Sequence, residues 1–323
     1  MSKIKIRSVN APRTRNDRHE ENPGSADSSG NPPGLSEVLI SALDERWRKY
    51  LRLSRECAKE PGEKSIHDLR VATRRMLAIL DLLKTILSKN AGGKIRKRLR
   101  AELKALSALR DLQVQIILAS EFVGANPALV GFVEELKSRR KSLAGKARRE
   151  ILQADIPLLK KYFNQIRDRL EVFLRDPVAV ETTFLVIRGI LAGIYVRTVD
   201  PRRRISSEPD NRIEDLHYIR VALKRFRYTI EIVKPVFPGI TDQLLQEVQN
   251  FQVSMGDIQD MQVFIAGIEA FAKKERKRAR GRRVTVVDPF RPVVDLLIQS
   301  QNERVNDVVT SLDRLDELRR ALR

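Results

Sequence analysis

The feature that most constrains this chain is a stretch that occurs twice. Ser65 to Lys84 and Asp215 to Lys234 agree in register: His67 with His217, Arg70 with Arg220, Val71 with Val221, Ala72 with Ala222, Arg74 with Lys224, Arg75 with Arg225, Asp81 with Glu231 and Lys84 with Lys234. Matches at one constant spacing mark a duplicated unit rather than a coincidence. A second echo follows at almost the same offset, where Leu106 to Val114 corresponds to Met255 to Val263 and aligns Asp111 with Asp260.

At about 100° per residue, His67, Arg70, Arg74 and the outer-lying Arg75 share one side of a helix. Leu69, Ala72, Met76, Ile79, Leu80 and Leu83 share the other. The second copy repeats both sides, with His217, Arg220, Lys224 and Arg225 opposite Ile219, Ala222, Phe226, Ile230 and Val233, so each stretch reads as an amphipathic helix with a cationic edge. Ser65 and Asp215 stand two residues before each His as expected N-caps. That places each His in a first helical turn, where free N–H groups and the positive dipole end favour an anion.

Arg one turn beyond the His, and Arg or Lys one turn beyond that, lays donors along roughly 10 Å of helix. One small anion needs less; an extended polyanion fits such a ladder, with Arg forking onto phosphate oxygens and Lys acting as a point charge. The alternative is an ordinary solvated helix face. Duplication argues against it, because surface charges without a task have little reason to keep register. Arg96, Arg100 and Lys104 recur at i, i+4 spacing and read either as the facing wall of the same groove or as surface charges at a helix start, where the dipole disfavours cations. Asp111 and Asp260 are expected to orient the basic side chains by ion pairing.

The run His217 to Tyr228, His-x-x-Arg-Val-Ala-x-Lys-Arg-x-Arg-Tyr, resembles the signature of the CHAD family, the conserved histidine α-helical domain. The resemblance implies an all-α domain of two pseudo-symmetric four-helix bundles whose basic faces line a central channel that binds inorganic polyphosphate. It spans about Leu35 to Leu322. Leu77-Ala78 stand where the second copy has Arg227-Tyr228, so Arg227 lacks a counterpart. The expected polyphosphate-binding residues are His67, Arg70, Arg74, Arg75, Arg96, Arg100, Lys104, His217, Arg220, Lys224, Arg225 and Arg227, with Asp111 and Asp260 behind them. Many members of the family carry a CYTH triphosphatase module on the N-terminal side, and the short tail here lacks its Glu-x-Glu-x-Lys motif.

Composition agrees with a polyanion as partner. Lys and Arg number 62 against 42 Asp and Glu, a formal +20, which favours polyphosphate, nucleic acid or an anionic surface. The single cysteine, Cys57, leaves no intrachain disulfide and no cysteine-rich metal site. No cofactor or metal is called for. The longest apolar run, Phe184 to Val196, is short for a bilayer and interrupted by Arg188, and the N-terminus lacks a signal-like apolar region. The expected location is the cytoplasm, extending to polyphosphate granules.

Along the chain, residues 1–34 read as a disordered tail rich in charge, Ser, Asn, Gly and Pro. Residues 35–175 read as the first bundle and 176–322 as the second. Expected helices run over Ser36–Lys59, the first ladder, Lys94–Phe122, Pro127–Leu174 with a break at Ala154–Pro157, Pro177–Val199, the second ladder, a long helix from Ile240, and Pro289–Leu322. Asp200 to Arg212 reads as a loop. A Walker A loop, His-Glu-x-x-His and Gly-x-Ser-x-Gly are all absent, and the histidines lack the acidic, metal-holding neighbours of phosphoryl transfer. Binding is therefore expected rather than catalysis, tightening as pH falls through protonation of His67 and His217. The competing readings are a nucleic-acid binder using the Lys273 to Arg283 patch and a scaffold for an acidic protein.

Overall fold

The computed structural model describes residues 33–87, 92–207, 211–279 and 288–321. Its regular elements are helices: α1 (Leu35–Lys59), α2 (Glu63–Leu87), α3 (Gly93–Phe122), α4 (Leu129–Leu152), α5 (Ile156–Phe173), α6 (Pro177–Ser207), α7 (Arg212–Val233), α8 (Asp242–Ala279), α9 (Arg291–Thr310) and α10 (Asp316–Ala321). Short 3-10 turns at Lys234–Val236 and Leu312–Leu315 follow α7 and α9. The all-α expectation is the observed fold. Residues 1–32 of the expected tail lie outside the described residues.

The duplication sets the topology. Successive pairs α1–α2, α2–α3 and α3–α4 pack together, and α6–α7, α7–α8 and α8–α9 repeat the series. Across the junction α2 meets α7 and α3 meets α8, so equivalent helices face each other. On α2 the apolar side buries Ile66, Leu69, Ala72, Met76, Ile79, Leu80 and Leu83; each Leu or Ile so buried stabilises by about 1.5–3 kcal/mol. The fifth helix breaks the symmetry. Asp155 caps it by accepting from Leu158 N at 2.9 Å, and it docks on α1 through Trp47 stacked on Phe163 at 4.7 Å and Arg167 paired with Asp44 at 3.0 Å.

The core does not divide at residue 175. One core draws on α1, α2, α5, α6, α7, the first parts of α3 and α8, the C-terminal parts of α4 and α9, and the turn at Leu312–Leu315. A second joins the far end of α3 and the start of α4 to the far end of α8 and the start of α9. The reason is length: at about 1.5 Å per residue, α3 and α8 outrun the helices beside them and must cover their apolar ends on each other. Phe132 stacks obliquely on Phe264 at 6.3 Å and Phe271 at 5.3 Å, and Phe271 meets Phe290 at 5.7 Å. Gly267 allows this approach, since a Cβ there would lie 3.3 Å from Phe132 Cζ.

Several local expectations need correcting. Ser65 lies two residues inside α2, its hydroxyl donating back to Glu60 O at 2.7 Å, and Asp215 is a buried partner of Arg204 rather than a cap. Both helices start earlier, so His67 and His217 sit beyond the first turn. Pro201 is accommodated inside α6, so the expected loop is largely helix; Arg202 pairs with Asp316 at 2.8 Å and anchors α10. That continuation also makes Pro177–Ile205 long and apolar enough, by length and composition, to cross a membrane, with 28% of its most apolar window buried in the protein. The expected last helix is interrupted at Ser311, whose hydroxyl donates to Val308 O at 2.8 Å.

Buried Glu102 ties three helices of the first half together. Tyr50 of α1 donates to it at 2.9 Å, and Thr73 Oγ1 of α2 lies 3.1 Å away. The Thr73 hydroxyl also sits 2.8 Å from Leu69 O. One hydroxyl has one proton, so both contacts are satisfied only if Glu102 supplies the other. Burial correspondingly pushes its carboxyl above the usual range, against the opposing hydrogen bonds of Tyr50 and Thr73. The folded state then binds more protons than the unfolded one, and stability is lost as pH rises through the raised pKa. Glu102→Gln, which can donate to Thr73, should match the wild-type melting temperature at pH 5 and exceed it at pH 8. Glu102→Ala should cost about 1–3 kcal/mol by stranding Tyr50. Thermal unfolding followed by circular dichroism across that pH range measures both.

Candidate polyanion-binding site

Packing of α2 on α7 brings the two cationic edges together. Arg70 and Arg74 from one half stand within electrostatic reach of Arg220 and Lys224 from the other, and Asp111 of α3 and Asp260 of α8 face the same group. The cost of this arrangement is visible in the titration behaviour. Burial, then repulsion from Arg220, Arg74 and Arg70, lowers Lys224 to about 6 against the pull of Asp260. Burial, then Arg74, lowers Arg70 to about 10, and burial lowers Arg220 against the pull of Asp260. Asp111 moves upward: burial dominates, opposed by Arg70, Arg74, Arg220 and Lys224.

Hydrogen bonding is incomplete at the same place. The Nε atoms of Arg70 and Arg220, equivalent positions in the two copies, are buried without a protein acceptor. A buried guanidinium N–H left unpaired costs on the order of 1–3 kcal/mol. Two equivalent orphan donors beside mutually repelling cations leave a buried cluster of positive charge with hydrogen-bonding capacity to spare.

The other expected site residues fall elsewhere. Arg96 is buried, donating to Leu80 O at 3.3 Å with Nε 3.7 Å from Asp81, and Arg100 pairs with the same Asp81 at 3.0 Å. Arg75 pairs across the junction with Glu231 at 3.0 Å, and Arg227 lies 3.4 Å from the same carboxylate with its guanidinium over the Tyr228 ring. Asp81 and its repeat partner Glu231 thus hold these four arginines. Lys104 and Arg225 are exposed. His67 is exposed on α2, and His217 is exposed with Nδ1 2.8 Å from Gln259 Oε1 of α8.

Two participants escaped the sequence reading. Buried Tyr228 lies within electrostatic reach of Arg70, across the junction from it. Gln259 positions His217, whereas its counterpart Arg110 pairs with Glu63 at 2.9 Å. The Arg-to-Gln exchange between repeats was the available signal. Among the described residues no group of His, Cys, Asp and Glu is arranged to hold a metal.

The basic run near the end of α8 is a separate feature. Lys273, Lys274, Lys277 and Arg278 line an open groove of about 400 Å³, roughly 20 Å along the helix from Asp260 at 1.5 Å per residue. Lys274 there pairs with Glu135 at 2.6 Å and Arg278 with Glu275 at 2.8 Å. Arg280, Arg282 and Arg283 of the run lie outside the described residues.

The depressed Lys224 gives a direct test. Its folded pKa is below its unfolded one, so the unfolded state binds more protons and stability falls as pH drops toward 6. A side-chain nitrogen titration by NMR should find one lysine titrating near 6, absent from Lys224→Met. That variant should melt above the wild type already at pH 8, by a margin that widens as pH falls to about 6 and stays constant below it.

Two solved structures share this fold. The crystal structure of the CHAD domain from the plant Ricinus communis aligns with a TM-score of 0.55 at 16% identity, covering 90% of this chain and 92% of that one. PptA from Streptomyces chartreusis aligns with a TM-score of 0.55 at 16% identity, covering 88% and 99%. No curated protein matches the chain. At that identity the two structures speak to the fold alone, but the family model for the CHAD domain matches residues 30–268, well over half of the sequence, and the chain belongs to that family.

Proposed function

We propose that this chain binds inorganic polyphosphate, with Arg70, Arg74, Arg220 and Lys224 contacting successive phosphates and Asp111 and Asp260 holding the cations in place when no ligand is bound. The family is associated with polyphosphate in general. The observation that carries the specific site is that, among the buried arginine Nε donors without a protein acceptor, which include Arg46, Arg98, Arg212 and Arg227, those of Arg70 and Arg220 occupy equivalent positions of the repeat and stand among cations that destabilise one another. Such repulsion is useful only where a polyanion relieves it. Binding without turnover is the reading that needs fewest groups: the site offers donors and positive charge, and its carboxylates face cations rather than a candidate nucleophile. On this reading the protein acts in the cytoplasm, on polyphosphate granules where they form.

Neutralising phosphates releases condensed counterions, so log affinity should fall linearly with log salt. Alanine at Arg70 or Arg220 should weaken binding by about 10- to 100-fold, the worth of a charge-assisted bond of about 1.5–3 kcal/mol. Each such variant should also reduce the salt slope by about 0.7, as for single-stranded polyanions. Titration calorimetry with polyphosphate at several salt concentrations reads both quantities, and unchanged slopes would place the ligand elsewhere. A nucleic-acid function predicts instead that single-stranded RNA displaces polyphosphate at lower phosphate concentration than the reverse.

Binding should also tighten from pH 8 to pH 6. A polyanion favours protonated Lys224, so the complex takes up a proton above the free pKa of about 6. Lys224→Arg should keep the affinity and flatten this dependence, and His67→Gln with His217→Gln should leave it in place. Loss of the pH dependence in the histidine variant alone would assign it to imidazole instead.

A further inference from the structure

The outer face of α6 has a pattern that its role inside the protein does not require. Thr183, Ile187, Leu191, Ile194, Thr198 and Ile205 are buried, which accounts for one side of the helix and its packing against α7. On the opposite side Val178, Thr182, Leu185, Gly189, Ala192, Val196 and Val199 follow one another at alternating steps of four and three residues. That alternation is the seam of a helix built to pack against another helix. Val178, Leu185 and Val196 are 69%, 60% and 61% exposed. Thr182, Gly189 and Ala192 are exposed as well, and nothing lies within 4 Å of a Cβ built on Gly189.

The duplicated half supplies an internal control. Leu39, Leu43, Tyr50 and Cys57 of α1 match Ile187, Leu191, Thr198 and Ile205 of α6 at a constant offset, and all eight are buried. At the same offset the seam positions Leu185, Gly189, Ala192 and Val196 correspond to Glu37, Ser41, Asp44 and Arg48. The first half therefore carries an ordinary polar surface where the second carries an apolar, small-residue one. Furthermore, α5 docks on α1 through Asp44, whereas the short α10 meets α6 only at its flank, through Tyr195 and Arg202 on Asp316, and leaves Leu185, Gly189, Ala192 and Val196 exposed. The sequence before residue 33 has almost no apolar periodicity with which to fill that place.

From this we propose that α6 is a homodimer interface: a second copy of the chain packs its own α6 antiparallel on this one, about a twofold axis near Gly189 to Ala192. The charges select the partner and the direction. With a formal +20, two copies repel over most of their surfaces, and the seam positions from Val178 through Val199 are themselves uncharged, with Arg188 at their flank. Glu181 borders it at one end and Arg203 continues it at the other. Antiparallel pairing brings Glu181 of each copy toward Arg203 of the other, whereas parallel pairing sets like beside like. Gly189 and Ala192 at the middle let the backbones approach closely, which suits a crossing helix better than a lipid surface. A twofold contact is self-complementary and closes at two copies.

Sedimentation equilibrium on the full chain should give a dimer. Leu185→Glu and Ala192→Glu, both on the solvent side, should convert it to a monomer with unchanged helicity, at least a tenfold rise in the dimer dissociation constant. Glu181→Arg should weaken the dimer, and adding Arg203→Glu should restore it. A chain that stays monomeric at 100 µM overturns the proposal, as does a dimer indifferent to Ala192→Glu. Failure of the charge swap to restore association overturns the antiparallel arrangement. Co-sedimentation of a monomeric chain with phosphatidylglycerol vesicles, abolished by Leu185→Glu, would assign the face to membranes instead.

Discussion

Everything characteristic of this protein depends on the packing of α2 against α7. Each helix alone is an amphipathic segment with a cationic edge, of the kind that ordinarily points to water. Pressed together by an apolar core that includes Leu69, Met76 and Leu80 on one side and Ile219, Phe226 and Ile230 on the other, they turn two solvated edges into one crowded group of cations. Hydrophobic burial supplies the driving force, and the desolvation it imposes, with mutual repulsion added, remains in the site as lowered proton affinity at Arg70, Arg220 and Lys224. The site is therefore strained toward anions before any ligand arrives.

Carboxylates decide which cations remain available. Asp81 holds Arg96 and Arg100, and Glu231 holds Arg75 and lies beside Arg227, both at the far end of the ladder. The Glu231 backbone carbonyl also accepts from Arg46 of α1 at 3.2 Å, so this one residue gathers arginines from both halves and fixes the α2–α7 register. Asp111 and Asp260 act differently. They face several cations at once and offset their charge only in part. The same residue type thus builds the frame at one end of the helix pair and leaves cationic charge in excess at the other.

Much of this was legible in the sequence because duplication samples each position twice. A pairing such as Arg70 with Arg220, or Asp111 with Asp260, survives only where both copies use it, and those residues are the ones the structure brings together. What was not legible has physical causes. Arg75 and Arg96 have the same spacing as ligand-facing residues, and only the third dimension shows that Glu231 and Asp81 reach them first. Ser65 and Asp215 have good capping chemistry, but their helices had already begun, at Glu63 and Arg212. Pro201 removes one hydrogen bond from α6, a local loss that its neighbours in the core outweigh. The two histidines, rare in the sequence and in register, lie exposed on their helices, while Lys224 of the same edge is largely buried and has its proton affinity lowered, a difference only packing reveals.

The departures from symmetry are as informative as the repeat. Leu77 is buried where its counterpart Arg227 leans toward Glu231, so the first copy traded an ion pair for core packing. Gln259 replaces Arg110 and turns its carbonyl to His217, freeing the second copy of an arginine that the first uses to fasten Glu63. The largest departure is α5, which covers α1, whereas α6 meets only the short α10 at Tyr195 and Arg202, and its seam from Leu185 to Val196 stays open. A duplicated fold that needed the same cover twice would be expected to keep polar residues wherever the cover was lost. Instead the uncovered helix became apolar along one seam, which a solitary protein has no reason to maintain and a paired one does.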